Sequence, residues 1–137
     1  MKKEINPLWG GRFEKSSSDL LKKINNSISF DYRLALQDIK VSEAYCEALF
    51  KAKIISGIDK KKIKEGLNKI RDEISKNTFI YSEEYEDIHM NIEMNLKKKI
   101  GDVAGKLHAG RSRNDQVTTD LKMWIREKAL LLEKLIL

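Results

Sequence analysis

Apolar residues recur every three or four positions along most of the chain, which is the spacing of one face of an α-helix. Four such stretches follow one another, and none of the segments between them alternates apolar and polar residues over a length that a strand needs. The pattern therefore predicts an all-α fold. The predicted apolar stripes are Leu20, Leu21 and Ile24; Leu34, Val41, Tyr45, Ala48, Ala52 and Ile55; Ile63, Leu67, Ile70 and Ile74; and Ile88, Ile92, Leu96 and Ile100.

A last helix, predicted from about Asp115, differs because its apolar residues cover more than one face. It ends in ALLLEKLIL over 129–137, and a helix that is apolar most of the way round is typical of a bundle interior. No Gly, Asn or Pro terminates it. We therefore expect a fragment with an N-terminal helical domain over 1–112, which opens with an extended arm over 1–15, and the truncated start of a central-bundle helix over 113–137.

The size and composition narrow the class of protein. The chain has 137 residues and a single cysteine, Cys46, so it has the length of one domain and cannot close an internal disulfide. The chain contains no run of 18 apolar residues, so no membrane span is predicted. Glu4 and Pro7 stand where a signal peptide needs its apolar run. We expect a cytoplasmic protein with no membrane partner.

The net charge of +6 raises the alternative of a basic nucleic-acid-binding module. The composition is rich in Lys, Ile and Asn, which genome base bias also produces. The charge is concentrated locally: residues 78–96 contain five acids and no Lys or Arg, whereas residues 97–113 contain six bases. Lys97–Lys99, Arg111 and Arg113 would lie at a helix end and in a loop, not interleaved along one helix face as a nucleic-acid binder requires. We expect no nucleic-acid partner.

The segment 105–116, GKLHAGRSRNDQ, concentrates polar groups between two predicted helices. Glycines let the backbone approach a ligand, arginines offer forked donors, and a following helix N-terminus adds free N–H groups. These properties are those of an anion site. The alternative is structural, because Ser112 and Asp115 also have the spacing of a capping box at the start of a helix in a solvated loop.

Three further clusters allow two interpretations each. His89 and Glu93 are four residues apart, as in a metal pair or a hydrogen-bonded pair, and the lack of a second nearby His or any nearby Cys favours a polar, metal-free role. Ser29 or Asp31 is predicted as the N-cap of the long helix, with Ser27 a loop or ligand contact. The aromatic pair of the N-terminal arm, Trp9 and Phe13, could form a binding surface or anchor the arm.

Four blocks of residues follow one another along the chain: LWGGRF over 8–13; Asn25, Ser27, Phe30, Asp31, Arg33 and Leu34; EDIHMNIE over 86–93; and GKLHAGRSRNDQV over 105–117. In this order they resemble the argininosuccinate lyase family of the fumarase/aspartase superfamily. The resemblance covers nearly the whole chain and departs from the family pattern at Val41 (usually Gly), Tyr45 (His in many members) and Ala109 (frequently Thr).

The resemblance implies an enzyme that cleaves argininosuccinate reversibly into arginine and fumarate without metal or organic cofactor. It implies a helical-bundle homotetramer whose acid and base residues lie beyond residue 137, so that this chain alone is inactive. A crystallin-like structural relative of the same family and a plain helical interaction domain remain alternatives. The resemblance places substrate carboxylates at Ser27, Ser112, Arg113 and Asn114, the arginine moiety at Asp31, and Asp87 and His89 along the site.

Overall fold

The structure, a computed structural model, describes residues 19–137. The arm over 1–15 and its aromatic pair, Trp9 and Phe13, lie outside the described residues. Between residues 19 and 137 the backbone forms helices and contains no strand, so the predicted all-α fold is confirmed. The α-helices are α1 (Asp19–Asn25), α2 (Ile28–Asp31), α3 (Ala35–Lys51), α4 (Gly57–Ser75), α5 (Ile88–Ile100) and α6 (Arg113–Ile136), with 3-10 helices at Tyr32–Leu34, Glu83–Tyr85 and Gly101–His108.

Helices α3, α4 and α5 enclose the core. The stripe predicted for α4 is confirmed, because Ile63, Leu67 and Ile70 are fully buried. The helix packs closely on α5 at Gly66, where an added Cβ would lie 2.6 Å from Leu96 Cδ1. The first turn of α4 is held by a capping box between Ser56 and Asp59, so the helix begins at Gly57.

The predicted stripe of α3 was wrong in its details. The buried face carries Ile39, Cys46 and Leu49 together with the polar residues Asp38 and Ser42. A hydrophobicity pattern does not recognise a face that mixes apolar and polar side chains, so the prediction selected neighbouring residues instead. Of the predicted stripe, Ile55 is buried, whereas Leu34, Val41 and Tyr45 are half-buried and Ala48 and Ala52 are exposed. The helix also ends at Lys51, before the last two residues of the predicted stripe. The chain then makes a turn, and the next helix begins at Gly57.

The segment between α5 and α6 contains three glycines, and its first part, Gly101–His108, forms a continuous 3-10 helix. Gly101 and Gly110 take positive φ values of 70° and 67°, a conformation that glycine adopts without steric cost. They lie where the chain leaves α5 and where it turns towards α6, so the glycines mark the boundaries of the segment.

Helix α6 is unbroken over Arg113–Ile136, as predicted, although it begins slightly before the expected position near Asp115. It packs on α3, where Gln116 and Asp120 are buried and Glu127 accepts from Gln37 and Lys40. Its second half exposes a run of leucines, including Leu132 and Leu135 at 59% and 74% exposure. Among the described helices none combines the length and apolar character needed to cross a membrane.

Candidate functional site

A buried ionic cluster joins α3, α5 and α6. His89 Nδ1 lies 3.2 Å from Asp38 Oδ1 and 3.2 Å from Asp120 Oδ2, and all three side chains are at most 2% exposed. Only the contact with Asp38 has hydrogen-bond geometry, whereas Asp120 contributes as an ion-pair partner. One imidazole thus connects three helices that are distant in sequence.

The charges of this cluster shift the pKa values of its members. Burial opposes protonation of His89, but Asp120 and Asp38 outweigh it and raise the pKa of His89 to about 9. Burial raises the pKa of Asp120 to about 6. Burial alone would also raise the pKa of Asp38, but hydrogen bonds from His89 and Gln116 outweigh it and hold that pKa below the ordinary value. The cluster therefore contains an imidazolium at neutral pH, with Asp38 ionised beside it.

The same three residues have the spacing of a metal site, because their donor atoms lie within 4.8 Å of one another. A metal ion would have to displace the proton on His89, and the Arg111 guanidinium already interacts electrostatically with both carboxylates. These positive charges favour the protonated cluster over metal binding. The alternative pair of His89 and Glu93 does not form, since Glu93 binds Arg113 instead.

A chain of hydrogen bonds connects the buried cluster to the start of α6. Gln116 donates through Nε2 to Asp38 Oδ1, while its Oε1 accepts from Arg113 Nη1 at 2.9 Å. Arg113 also donates from Nη2 to Glu93 Oε2 at 2.8 Å. The guanidinium of Arg113 is thus held by two protein partners, and α6 is fixed to α3 and α5 in one orientation.

The residues on either side of Arg113 face outward. Ser112 and Asn114 are exposed, and the Ser112 hydroxyl accepts a 3.2 Å hydrogen bond from the backbone N–H of Asn114. Ser112 is therefore the predicted N-cap, but its partner is Asn114 and not the expected Asp115. Because free N–H groups and a partial positive charge collect at a helix N-terminus, this end of α6 presents donors to an anion.

The second group of predicted site residues lies around the start of α5. The Ser27 hydroxyl donates to Asp31 Oδ2 at 2.6 Å, and the Ile88 amide donates to Asp31 Oδ1 at 3.1 Å. Asp87 caps α5 by accepting from the Met90 amide at 2.6 Å. Burial raises the pKa of Asp31. Ser27, Asp31 and Asp87 thus lie together around the start of α5.

The predicted N-cap at Ser29 or Asp31 was wrong. Helical structure already begins at Ile28, and the side chain of Asp31 makes no cap hydrogen bond. Its carboxylate instead accepts a local hydrogen bond from Ser27 and a tertiary one from the amide of Ile88. The carbonyl of Glu86 accepts from the amides of Ser27 and Ile28 at 2.9 and 3.0 Å, and so joins the same two segments through the backbone.

A cavity of about 20 Å³ lies beside the buried cluster. That volume holds about one water molecule, so it is too small for a substrate of the size of an amino acid. The polar side chains around the cavity are Asp38, Ser42, His89, Glu93, His108, Arg111 and Gln116.

Sequence reasoning missed the residues that hold the site together. Asp38 and Asp120 contact His89 from other helices, and Gln116 links them to Arg113. One sequence pattern was available, because Gln116 and Asp120 are four residues apart and therefore lie on one face of α6. That face was not expected to be buried, since neither residue is apolar.

Comparison with known proteins gives a consistent result. The family model described as Lyase matches residues 11–136. The curated argininosuccinate lyase of Ehrlichia canis is 56% identical over 128 residues, which is 93% of this chain and 27% of that protein. The argininosuccinate lyase of Pelagibacter ubique is 55% identical over 117 residues, which is 85% of this chain and 25% of that protein.

The chain spans about a quarter of the length of these curated relatives. Within that quarter the similarity includes the helices that carry both groups of site residues, since the family match runs from residue 11 to the end of α6. The resemblance to argininosuccinate lyases is thereby confirmed, and the chain belongs to the Lyase family.

Proposed function

We propose that this chain is the N-terminal part of an enzyme that cleaves argininosuccinate into arginine and fumarate by β-elimination. The single observation that carries the proposal is the start of α6, where exposed Ser112 and Asn114 are held in place by a buried network. The identity of more than half to argininosuccinate lyases from Ehrlichia supports the choice of substrate.

The chemistry explains why an anion-binding helix end is useful. When a base removes the proton beside a carboxylate, that carboxylate gains a second negative charge, and preorganised donors stabilise it most. Those donors can be supplied by the side-chain amide of Asn114, the hydroxyl of Ser112 and the free N–H groups of α6. Arg113, held by Glu93 and Gln116, adds a fixed positive charge beside them.

The second group of residues suits the cationic part of the substrate. Burial disfavours the ionised form of Asp31, and a guanidinium bound nearby would favour that form again. Ser27 and Asp87 flank this carboxylate, and His89 lies behind it in the ionic cluster. We infer that Asp31 faces the arginine moiety, with Ser27 among the contacts to the substrate carboxylates.

The proposal includes the organisation of the whole protein. Residues 1–112 form an N-terminal helical domain, and 113–137 begin a central bundle whose other helices cover the exposed leucines of α6. The enzyme is a cytoplasmic homotetramer that needs no metal or organic cofactor. The acid and base groups come from later segments, so the 137-residue chain by itself is inactive.

The test uses the full-length protein that contains this chain. Incubated with argininosuccinate, it is expected to release arginine and fumarate in equal amounts, and to leave adenylosuccinate, aspartate and malate uncleaved. The 137-residue chain is the matched inactive control. A folded full-length protein that releases no fumarate would contradict the proposal and favour a crystallin-like role, while tight, sequence-selective DNA binding near physiological salt would favour the basic module.

A further inference from the structure

The turn that precedes α6 is attached to α3 through Tyr45. The Tyr45 hydroxyl donates a 2.7 Å hydrogen bond to the carbonyl oxygen of Ala109. The same ring lies below the Arg111 guanidinium, whose central carbon is 5.2 Å from the ring centroid. One side chain therefore contacts the turn on both sides of Gly110.

Gly110 makes the position of this turn specific. Its φ of 67° favours glycine, and a Cβ at this residue would lie 3.7 Å from the Tyr45 hydroxyl oxygen. The backbone therefore turns directly above the end of the tyrosine side chain. A hydrogen bond at this point restricts the turn where it changes direction towards Ser112 and α6.

Ser42 adds a second attachment one helical turn earlier on α3. Its hydroxyl accepts from Arg111 Nη1 at 3.1 Å, and Ser42 itself is 2% exposed. The Arg111 guanidinium is consequently directed towards α3. Arg111 thus contacts other residues of the chain, whereas Ser112 and Asn114, which follow it in the sequence, are exposed.

We propose that Tyr45 is a positioning residue, which fixes the turn over 109–112 and through it the donors at the start of α6. This inference rests on the proposed function, because it assigns Tyr45 an effect on the reaction without contact to substrate.

The first test measures amide hydrogen exchange in the 137-residue chain. Tyr45→Phe keeps the ring and removes the hydrogen bond, so the amides of Ala109 and Arg111 are expected to exchange about 5-fold faster. Tyr45→Leu also removes the cation–π contact, and the increase should be on the order of 20-fold. Tyr81→Phe, in a ring that packs on Phe79 and Tyr32, is the matched control and should leave both amides unchanged.

The core supplies an internal reference. The amides of Ile63 and Leu67 in α4 should exchange at the same rate in Tyr45→Phe as in the wild-type chain, because the change is local. Faster exchange throughout α4 would show a loss of global stability and would overturn the positioning role. Unchanged exchange at Ala109 and Arg111 would overturn it as well.

The second test measures steady-state cleavage of argininosuccinate by the full-length protein. Tyr45→Phe should lower kcat about 5-fold with little change in KM, because misplaced donors lose more contact with the charged intermediate than with the substrate. If Tyr45→Phe retains the wild-type kcat while the turn exchanges faster, the positioning role is wrong. If the wild-type protein itself does not cleave argininosuccinate, the proposed function fails, and the exchange result still decides whether Tyr45 fixes the turn.

Discussion

Arg113 and Glu93 join the first residue of α6 to the middle of α5 through a 2.8 Å contact between Nη2 and Oε2. Both side chains are partly buried, with exposures of 24% and 36%, so the contact is screened less than a surface ion pair. Together with the buried contacts of His89, it attaches the start of α6 to α5 at two points. Arg113 is occupied by this structural contact, which makes Asn114 the more direct probe of ligand binding.

The stability of the chain is expected to depend on the protonation of His89. Its pKa of about 9 in the folded chain lies above the value of about 6.5 for an unfolded histidine. The resulting stabilisation is fully present below pH 6.5 and is lost as pH rises through 9. The free energy of unfolding should therefore fall by about 3 kcal/mol across this window, measured by urea denaturation at a series of pH values.

The contribution of His89 can be separated from that of the other titrating groups by two variants. His89→Gln should abolish this part of the pH dependence, whatever its effect on stability at neutral pH. His108→Gln, at the exposed histidine of the 3-10 helix, is the matched control and should retain it. Equal slopes for both variants and the wild-type chain would show that His89 does not hold its proton in the folded state.

Packing between α4 and α5 gives a second prediction. Gly66→Ala would place a Cβ 2.6 Å from Leu96 Cδ1 and 3.0 Å from Ile100 Cγ2. Leu96 is fully buried, so its displacement disturbs the core. Overpacking should lower the free energy of unfolding by about 1–3 kcal/mol. This loss should exceed the gain of about 1 kcal/mol from the higher helix propensity of alanine.

The matched control for this substitution is Gly105→Ala. Its Cβ meets no atom within 4 Å, so the change should leave stability the same or slightly higher. Thermal or urea denaturation of the two variants checks the difference. If Gly66→Ala is as stable as Gly105→Ala, the close contact of α4 with α5 is wrong.

The second half of α6 gives a third prediction. Its leucines form an exposed apolar surface, and soluble monomers rarely carry a large one. We expect the 137-residue chain to self-associate at high concentration in sedimentation velocity experiments. The double variant Leu132→Glu/Leu135→Glu should sediment as a monomer, because two buried charges would oppose association.

Ile58→Glu controls for the added charge. Ile58 is 72% exposed, similar to Leu135 at 74%, but it lies at the start of α4. This variant should associate like the wild-type chain. A wild-type chain that remains monomeric at high concentration, or an equal effect of Ile58→Glu, would show that α6 does not form the contact.

The sequence predicted the inner side of a helix best where the side chains in the core are mainly apolar. In α4, Ile63, Leu67 and Ile70 recur at helical spacing and lie on one face of the helix. The structure buries all three. In α3 the buried face includes Asp38 and Ser42, whose burial depends on partners elsewhere in the chain. A local pattern therefore identified the helix but not its inner side.

The same limit applies to the candidate site. The spacing of Ser112 and Asp115 indicated a capped helix start as one interpretation of the motif over 105–116, and Ser112 is the N-cap of α6, although its partner is Asn114. Capping is a local property, so a short motif can indicate it. His89, however, binds a carboxylate that lies 51 residues earlier in the sequence and another on α6. No spacing rule predicts such pairs, since they depend on how α3, α5 and α6 pack against one another.

We propose that the start of α6 holds the carboxylate on which negative charge develops during cleavage. The most direct measurement is the steady-state kinetics of argininosuccinate cleavage by the full-length protein and its Asn114→Ala variant, with Asn68→Ala in the exposed part of α4 as the control. Loss of one such donor typically lowers turnover by about 100-fold, and we predict that loss for Asn114→Ala with wild-type turnover for Asn68→Ala. Wild-type turnover in Asn114→Ala would contradict the claim and leave the start of α6 as a capped helix without a part in the reaction.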